Sequence, residues 1–190
     1  MGIPRRDVIA VATLRIAPTS DLSSSELDEL RSLLEEAFQD ADEGGLTDED
    51  WEHTLGGLHV IAMDDAMASH AAVVPRVLRA SGRSLQTGYV EAVATAVAHR
   101  GRGFASQVMG EAAKIIRQHH ELGALATGIP DFYARLGWDL WQGPTFADSP
   151  EGRVRTPEED GAVMILRTGV TEELEATGPL TCDWRAGDVW

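Results

Sequence analysis

The stretch from Gly88 to His120 constrains this chain more than any other. It reads as a strand over 88–97, Gly88-Tyr-Val-Glu-Ala-Val-Ala-Thr-Ala-Val97, followed by a short basic glycine turn, His99-Arg-Gly-Arg-Gly-Phe-Ala105. Val and Tyr behind a bounding glycine are a strand signature. After the turn, Ala105, Val108, Met109, Ala112, Ile115 and Ile116 recur at spacings of three and four, so a helix there buries one face. A glycine turn that opens a helix leaves several backbone N–H groups unpaired at the positive end of the helix dipole, and that geometry binds phosphate. Gly101 and Gly103 let the backbone approach an anion closely, and Arg100 and Arg102 add positive charge. The plainer reading is a strand-to-helix turn whose helix end faces water.

The kind of phosphate is narrowed by what the turn lacks. A dinucleotide fingerprint needs a third glycine where Ser106 stands, and a P-loop needs Gly-Lys-Ser/Thr, whereas Lys114 lies inside the helix. The pattern that fits is Arg100-x-x-Gly103-x-Ala105. It resembles the pyrophosphate loop with which the GCN5-related N-acetyltransferases hold acyl-coenzyme A, directly after their fourth strand.

The rest of the chain is read in order. A length of 190 residues suits a single domain over 1–190, with 1–6 expected to be disordered. The formal charge of −15 argues against a nucleic-acid partner, which demands a basic face. It suits a cationic ligand steered by the protein's field, or simply a soluble acidic surface. No apolar run approaches the ~20 residues of a membrane span, and the N-terminus carries no secretory signal. A single cysteine, Cys182, excludes an internal disulfide, and the expectation is a cytoplasmic chain. The six histidines show no metal-ligand spacing, so no metal is expected.

A first strand is expected over Asp7–Ile16. Ser23-x-x-Glu26 looks like a capping box for a helix with Leu27, Leu30, Leu34 and Phe38 on one face. Asp40–Thr47 reads as a loop, Thr47–Thr54 as a short helix, Leu58–Met63 and Ala66–Ala80 as strands. Pro75 implies a bulge or an unpaired position in the second of these. Ser81-Gly82-Arg83 reads as a hairpin turn. After the central helix come a strand over Gly123–Thr127, a helix over Asp131–Leu136, a strand at Trp138–Trp141, a polar loop over Gly143–Asp160 and a strand over Ala162–Leu166. The segment 168–178 reads as irregular, and 181–190 as a tail whose two tryptophans imply that it packs on a cleft.

This order resembles the acetyltransferase fold throughout: an α/β (α+β) chain with a mixed, mostly antiparallel central sheet flanked by helices. Tyr133-x-x-x-Gly137-Trp138 matches a second motif of that family. Three further stretches, Trp51-Glu-His-Thr-Leu-Gly-Gly57, Gly88-Tyr-Val-Glu91 and Cys182-Asp-Trp-Arg-Ala-Gly-Asp-Val-Trp190, are similar to the aminoglycoside 2′-N-acetyltransferases of actinobacteria. The resemblance implies direct transfer of acetyl from acetyl-CoA to a 2′-amine in a ternary complex, and, by analogy, a homodimer. Two alternatives remain open: the same fold acting on another polyamine or amino sugar, and a non-catalytic module that binds acetyl-CoA or the aminoglycoside.

The site residues follow. The resemblance assigns the pantetheine to the backbone of Val93, Ala94 and Thr95, in the gap where the central strand parts from its neighbour. It assigns the pyrophosphate to Arg100, Gly101, Arg102, Gly103, Phe104 and Ala105. Glu91 is the candidate general base, acting through a water and also touching the sugar; strand periodicity places it on the same face as Val93. Its alternative is an exposed strand carboxylate. Tyr133 is the candidate acid, or else a core tyrosine. A polycation needs several carboxylates around one cleft. By resemblance these are Asp50, Asp183, Asp188 and the carboxylate of Trp190, with Glu159 and Asp160 as a further pair and Thr127 contributing a hydroxyl. Asp48 and Glu49 read as solvated helix-start residues, Trp184 as a platform beneath the sugar or a core residue, and Cys182 as a buried, inert thiol.

Overall fold

The structure is a computed structural model that describes residues 12–39 and 45–190. The expected disordered stretch 1–6, the first part of the expected strand at 7–11 and most of the acidic loop at 40–44 lie outside the described residues. Among the described residues ten strands form one mixed sheet: β1 (Thr13–Pro18), β2 (Leu58–Asp64), β3 (Ala66–Ala80), β4 (Arg83–Thr95), β5 (Leu122–Ala126), β6 (Asp139–Leu140), β7 (Thr145–Ser149), β8 (Gly152–Arg155), β9 (Val163–Arg167) and β10 (Leu180–Asp183). The main order is β6-β9-β5-β4-β3-β10-β7-β8, with β2 on β3 and β1 on β2. Only β4 with β5 and β10 with β7 run parallel.

The long hairpin β3–β4 is the spine. Ser81 and Gly82 both take positive φ, 49° and 73°. Such a two-residue turn matches the right-handed twist of the strands it joins. Along its other edge β3 is shared: β2 pairs with 66–73 and β10 with 78–80. Pro75 falls in the interval that neither neighbour covers, while it stays in register with Gly88 on β4. The missing N–H therefore leaves no rung of the sheet broken on the open side.

Four helices of the described residues flank the sheet: α1 (Ser24–Phe38), α2 (Asp48–Thr54), α3 (Phe104–His119) and α4 (Pro130–Ala134). Ser23 accepts from Glu26 N and Glu26 answers to Ser23 N at 2.8 Å, so the expected capping box is present. A cap of this kind stabilises a helix by about 1 kcal/mol. Leu30 and Leu34 are fully buried between α1 and the sheet, together with Ile61, Met67 and Ala94; each such leucine contributes about 1.5–3 kcal/mol. On the opposite face α3 buries Val108, Met109, Ala112, Ile115 and Ile116 against β2, β3 and β4.

Two expectations are corrected here. The central strand begins at Arg83 and ends at Thr95, because Val97–His99 turns into a 3-10 helix. Residues 143–160 are not a loop: Phe146, Ala147, Asp148 and Ser149 pair with 152–155 in a hairpin. The guanidinium of Arg153 lies 3.7 Å from the centre of the Phe146 ring, a cation–π contact that gives this polar hairpin its apolar anchor. The tail begins as a strand: β10 runs between β3 and β7 with Leu180 and Cys182 buried.

Gly88 joins the two halves of the constraining stretch. A Cβ there would fall 2.8 Å from His120 Cδ2, 2.9 Å from Ile116 Cγ1 and 3.0 Å from Val73 Cγ1. Helix α3 can lie this close to β4 only over a residue without a side chain. Gly88→Ala is expected to destabilise the protein by about 1–3 kcal/mol, read as a lowered urea midpoint at unchanged m-value.

Candidate active site

Strands β4 and β5 pair only at Thr87–Leu122, Gly88–Gly123 and Tyr89–Ala124. Beyond that point they part. The parting coincides with a bulge: Ala92 has φ 51°, and the register with β3 jumps from Ala72–Glu91 to His70–Ala94. A bulge inserts one extra residue, so it breaks the two-residue alternation. Val90 and Val93 consequently share the α3 side, while Ala92 and Ala94 pack with the α1 side. Glu91 and Val93 therefore do not share a face, contrary to the strand-periodicity expectation.

The gap between the strands is the middle of a continuous groove. Its largest chamber, about 580 Å³, is lined by residues including Phe38, Glu49, Asp50, His53, Glu91, Arg185, Asp188 and Trp190. A second chamber of about 380 Å³ shares Phe38, Glu91, Asp188 and Trp190 with it and lies between 89–93 on β4 and 125–128 after β5, with Tyr133 on its wall. The third, about 240 Å³, passes Val93, Ala94 and Thr95 to Arg100 and Ala105. The last, about 290 Å³, ends at His99, Arg100, Gly101, Gly103 and Ser106. The groove changes sign along its length: four carboxylates (Glu49, Asp50, Glu91, Asp188) line the first chamber, and basic side chains with a helix start line the last.

The helix start has the geometry an anion needs. Gly103 is the cap of α3 with φ 87°, a left-handed conformation that glycine adopts without strain. It has no side chain to occupy the first turn, and the first intrahelical bond runs from Gln107 N to Gly103 O at 3.2 Å. Arg100 lines the groove, but Arg102 does not: its guanidinium binds Asp64 at 2.8 Å. Phe104 is a core side chain and offers the turn only its backbone.

Glu91 is mostly buried, with 15% of its side chain exposed, so it is not an exposed strand carboxylate. Burial pushes its pKa up, and the adjacent Arg185 guanidinium pulls it partly back. Arg185 binds Glu91 Oε1, donates from Nη2 to the Trp190 main-chain oxygen at 2.6 Å and from Nε to Asp188 O at 2.7 Å. Tyr133 stands across the gap; burial lifts its phenol to about 12, with a smaller opposing effect from a hydrogen bond to Thr127. It is thus a neutral O–H donor at any working pH.

The acidic residues separate into two groups. Asp50 lines the first chamber, and its carboxylate also accepts from Thr47 N at 3.0 Å, closing a capping box for α2. Asp188 and Trp190 line both large chambers, and the Trp190 indole donates to Thr156 Oγ1 at 2.9 Å. Asp183, Glu159 and Asp160 line neither chamber. Asp183 is drawn away by the buried Arg76, at 2.9 Å. Asp160 is bound by Arg155, which holds its carboxyl down at about 2, and by Thr145. Trp184 is 47% exposed rather than in the core. Cys182 is buried, its thiol pushed up to about 11 by desolvation.

Sequence reasoning gave no site role to Arg185, Phe38 or His53, and it read Glu49, which lines the first chamber, as a solvated helix-start residue. Arg185 lies inside the tail motif already singled out, but a search for carboxylates passed over the cation that organises them. His53 Nε2 donates to Ala186 O, 2.8 Å away, and so ties α2 to the tail.

A parallel pair of strands that parts over a groove, with a phosphate-type helix start at one end, defines a class, and the chain belongs to the GNAT acetyltransferases. A model of the acetyltransferase (GNAT) domain matches residues 19–141. Within that class it belongs to the family of the aminoglycoside 2′-N-acetyltransferases: it is 43% identical over 183 residues to the "Aminoglycoside 2'-N-acetyltransferase" of Mycolicibacterium fortuitum, covering 94% of this chain and 92% of the relative. Solved structures share the fold at lower identity. The GNAT family N-acetyltransferase YhbS of Escherichia coli, in complex with CoA, superposes with a TM-score of 0.63 at 19% identity, over 90% of this chain and 89% of that one. A GNAT family acetyltransferase of Brucella melitensis, in complex with acetyl-CoA, gives 0.52 at 16%, over 80% and 96%.

The Arg185–Glu91 contact has a measurable consequence. A cation beside a carboxylate favours its charged form, so removing the cation raises the pKa. Arg185→Met is expected to move the Glu91 carboxyl titration to higher pH, followed by carbon NMR of the side chain. An unmoved titration would mean that the guanidinium charge does not act on Glu91.

Proposed function

We propose that the chain transfers the acetyl group of acetyl-CoA directly to the 2′-amino group of aminoglycosides, in a ternary complex. The observation that carries this is the groove itself, anionic at one end, basic at the other, and passing through the gap between β4 and β5. A polycation and a polyphosphate can enter from opposite ends and meet at Glu91 and Tyr133. The family relationship supports the aminoglycoside as the polycation.

Residues along the groove suit acetyl-CoA. The unpaired N–H groups from Gly101 to Ala105, with Arg100, would hold the pyrophosphate, and the backbone of Val93, Ala94 and Thr95 would pair with the pantetheine. Bound there, acetyl-CoA supplies an activated acyl group. The protein supplies the rest: Val93 N–H would polarise the carbonyl, Glu91 would take a proton from the substrate ammonium through a water and so free the amine to attack, and Tyr133 would give a proton to the departing sulfur. A carboxylate held above its ordinary range by burial is a better base near neutrality than an exposed one. Asp50, Asp188, Thr127 and Trp190 line the sugar end; Asp183, Glu159 and Asp160 would act only at its margin. Cytoplasmic residence and a homodimer belong to the same proposal by family analogy. Among the described residues no helix is long and apolar enough to cross a membrane.

Release of coenzyme A thiol in the presence of aminoglycosides tests the reading. Compounds with a 2′-amine are expected to react and those with a 2′-hydroxyl to bind without turnover, with NMR fixing the acetylated nitrogen. Acetylation at another amine, or none, would overturn it.

Two variants separate the halves of the site. Gly103→Asp puts a side chain and a negative charge where the pyrophosphate approaches, and is expected to abolish acetyl-CoA binding by calorimetry. Glu91→Gln keeps the shape and removes the base, so kcat is expected to fall by roughly 10²–10⁴ while acetyl-CoA affinity holds.

A further inference from the structure

The bulge at Ala92 creates a debt of hydrogen bonding that β3 answers with side chains. Ala92 O, left without a ladder partner by the register jump, lies 2.9 Å from His70 Nδ1. His70 Nε2 lies 2.9 Å from His59 Nδ1. His59 Nε2 lies 2.8 Å from Thr19 Oγ1, and Thr19 Oγ1 accepts from Gly56 N at 2.9 Å. Both rings are fully buried. One strand residue earlier, Ser69 Oγ donates to Ala94 O at 2.7 Å, so two successive same-side carbonyls of the bulged segment are held by neighbouring side chains of β3.

The direction of this chain of contacts is determined. Burial lowers His70 to about 3 and His59 to about 4, so each ring is neutral and carries one proton. A carbonyl oxygen can only accept, which places the His70 proton on Nδ1. Its Nε2 is then bare and must accept, which places the His59 proton on Nδ1 as well. His59 Nε2 in turn accepts from the Thr19 hydroxyl, whose oxygen still has a lone pair for Gly56 N–H. Every member is satisfied in one direction only, and a fully satisfied buried network rigidifies what it touches.

We propose that the Thr19–His59–His70 relay is the device that fixes the Ala92 bulge, and thereby aims Glu91 on one side of it and Val93 N–H on the other. These three are positioning residues: they touch neither the groove's occupants nor Glu91. The consequence for turnover rests on the acetyltransferase reading above; the relay itself does not.

Nitrogen-15 NMR of the wild-type protein near neutral pH tests the relay without any activity. Both rings are expected to carry their proton on Nδ1. A proton on Nε2 of either ring, or an imidazolium, would overturn the proposal. Kinetics test the aiming. His70→Leu removes the donor to Ala92 O, and kcat is expected to fall roughly ten- to hundredfold, the loss corresponding to one buried hydrogen bond. His70→Asn keeps an N–H at the Nδ1 position, and is expected to restore most of kcat. Each variant is assayed where circular dichroism shows it folded. Wild-type kcat in His70→Leu, or an equal fall in both variants, would overturn the positioning role. If His70→Leu does not fold, Thr19→Val removes the hydroxyl at the far end of the relay; it is expected to lower kcat by a smaller factor while both rings keep their proton on Nδ1, and unchanged kcat or a moved proton would overturn the proposal. Absence of turnover in the wild type, with both tautomers as expected, would sink the aminoglycoside reading and leave the relay standing.

Discussion

The site depends on one local departure from sheet geometry, the extra residue at Ala92. Without it, β4 would continue its alternation and its pairing, and its carbonyls and amides would be consumed by neighbours. With it, β4 leaves β5 after Tyr89 and turns unpaired backbone toward a gap that Tyr133 faces from the other side. The cost of a positive φ at a residue with a Cβ is of order 1–2 kcal/mol. That cost is tolerated because β3 is long enough to hold β4 on both sides of the bulge, from Ala80–Arg83 at one end to Ser69–Thr95 at the other. The hairpin is thus both the scaffold and the clamp.

Most of the scaffold was legible because its signals are local. The capping residues Ser23 and Thr47, the turn Ser81-Gly82, and the alternation and periodicity on either side of the glycine turn each act within a few residues. The motifs at 100–105 and 133–138 gave the family for the same reason. What the sequence did not disclose are arrangements created by distant partners. The hairpin at 145–155 has no apolar alternation of its own; it is ordered by pairing with β10 and by arginines over Phe146. The bulge carries no glycine to mark it, since Ala92 occupies the left-handed position. Periodicity therefore pointed Glu91 and Val93 the same way.

The carboxylate assignments divided on the same principle. Asp50, Asp188 and Glu91 converge on one chamber, Glu91 with Arg185 bound to it, whereas Asp183 and Asp160 are held outside it by Arg76 and Arg155. A list of acidic residues in a chain of net charge −15 cannot tell these apart. The discriminating feature is the position of the cations: sixteen Lys and Arg residues are shared among thirty-one Asp and Glu, and a carboxylate whose arginine itself lines the chamber, as Arg185 does for Glu91, stays within a ligand's reach.

Two arginines explain why the end of the chain lies where it does. Arg76 is buried in β3, and an isolated guanidinium there would cost several kcal/mol. It is answered by three oxygens of the tail: Asp183 Oδ1 at 2.9 Å, Asp183 O at 2.8 Å and Val189 O at 2.7 Å. Its plane also stands over the Tyr89 ring, 4.7 Å from the centre, with Arg185 5.6 Å from the same ring. Arg185 then turns the tail inward by holding Asp188 O and the Trp190 main-chain oxygen while binding Glu91. Tail, central strand and buried carboxylate are in this way one electrostatic unit. Trp190 is carried into the groove wall and buried by it, while Trp184 stays half in water.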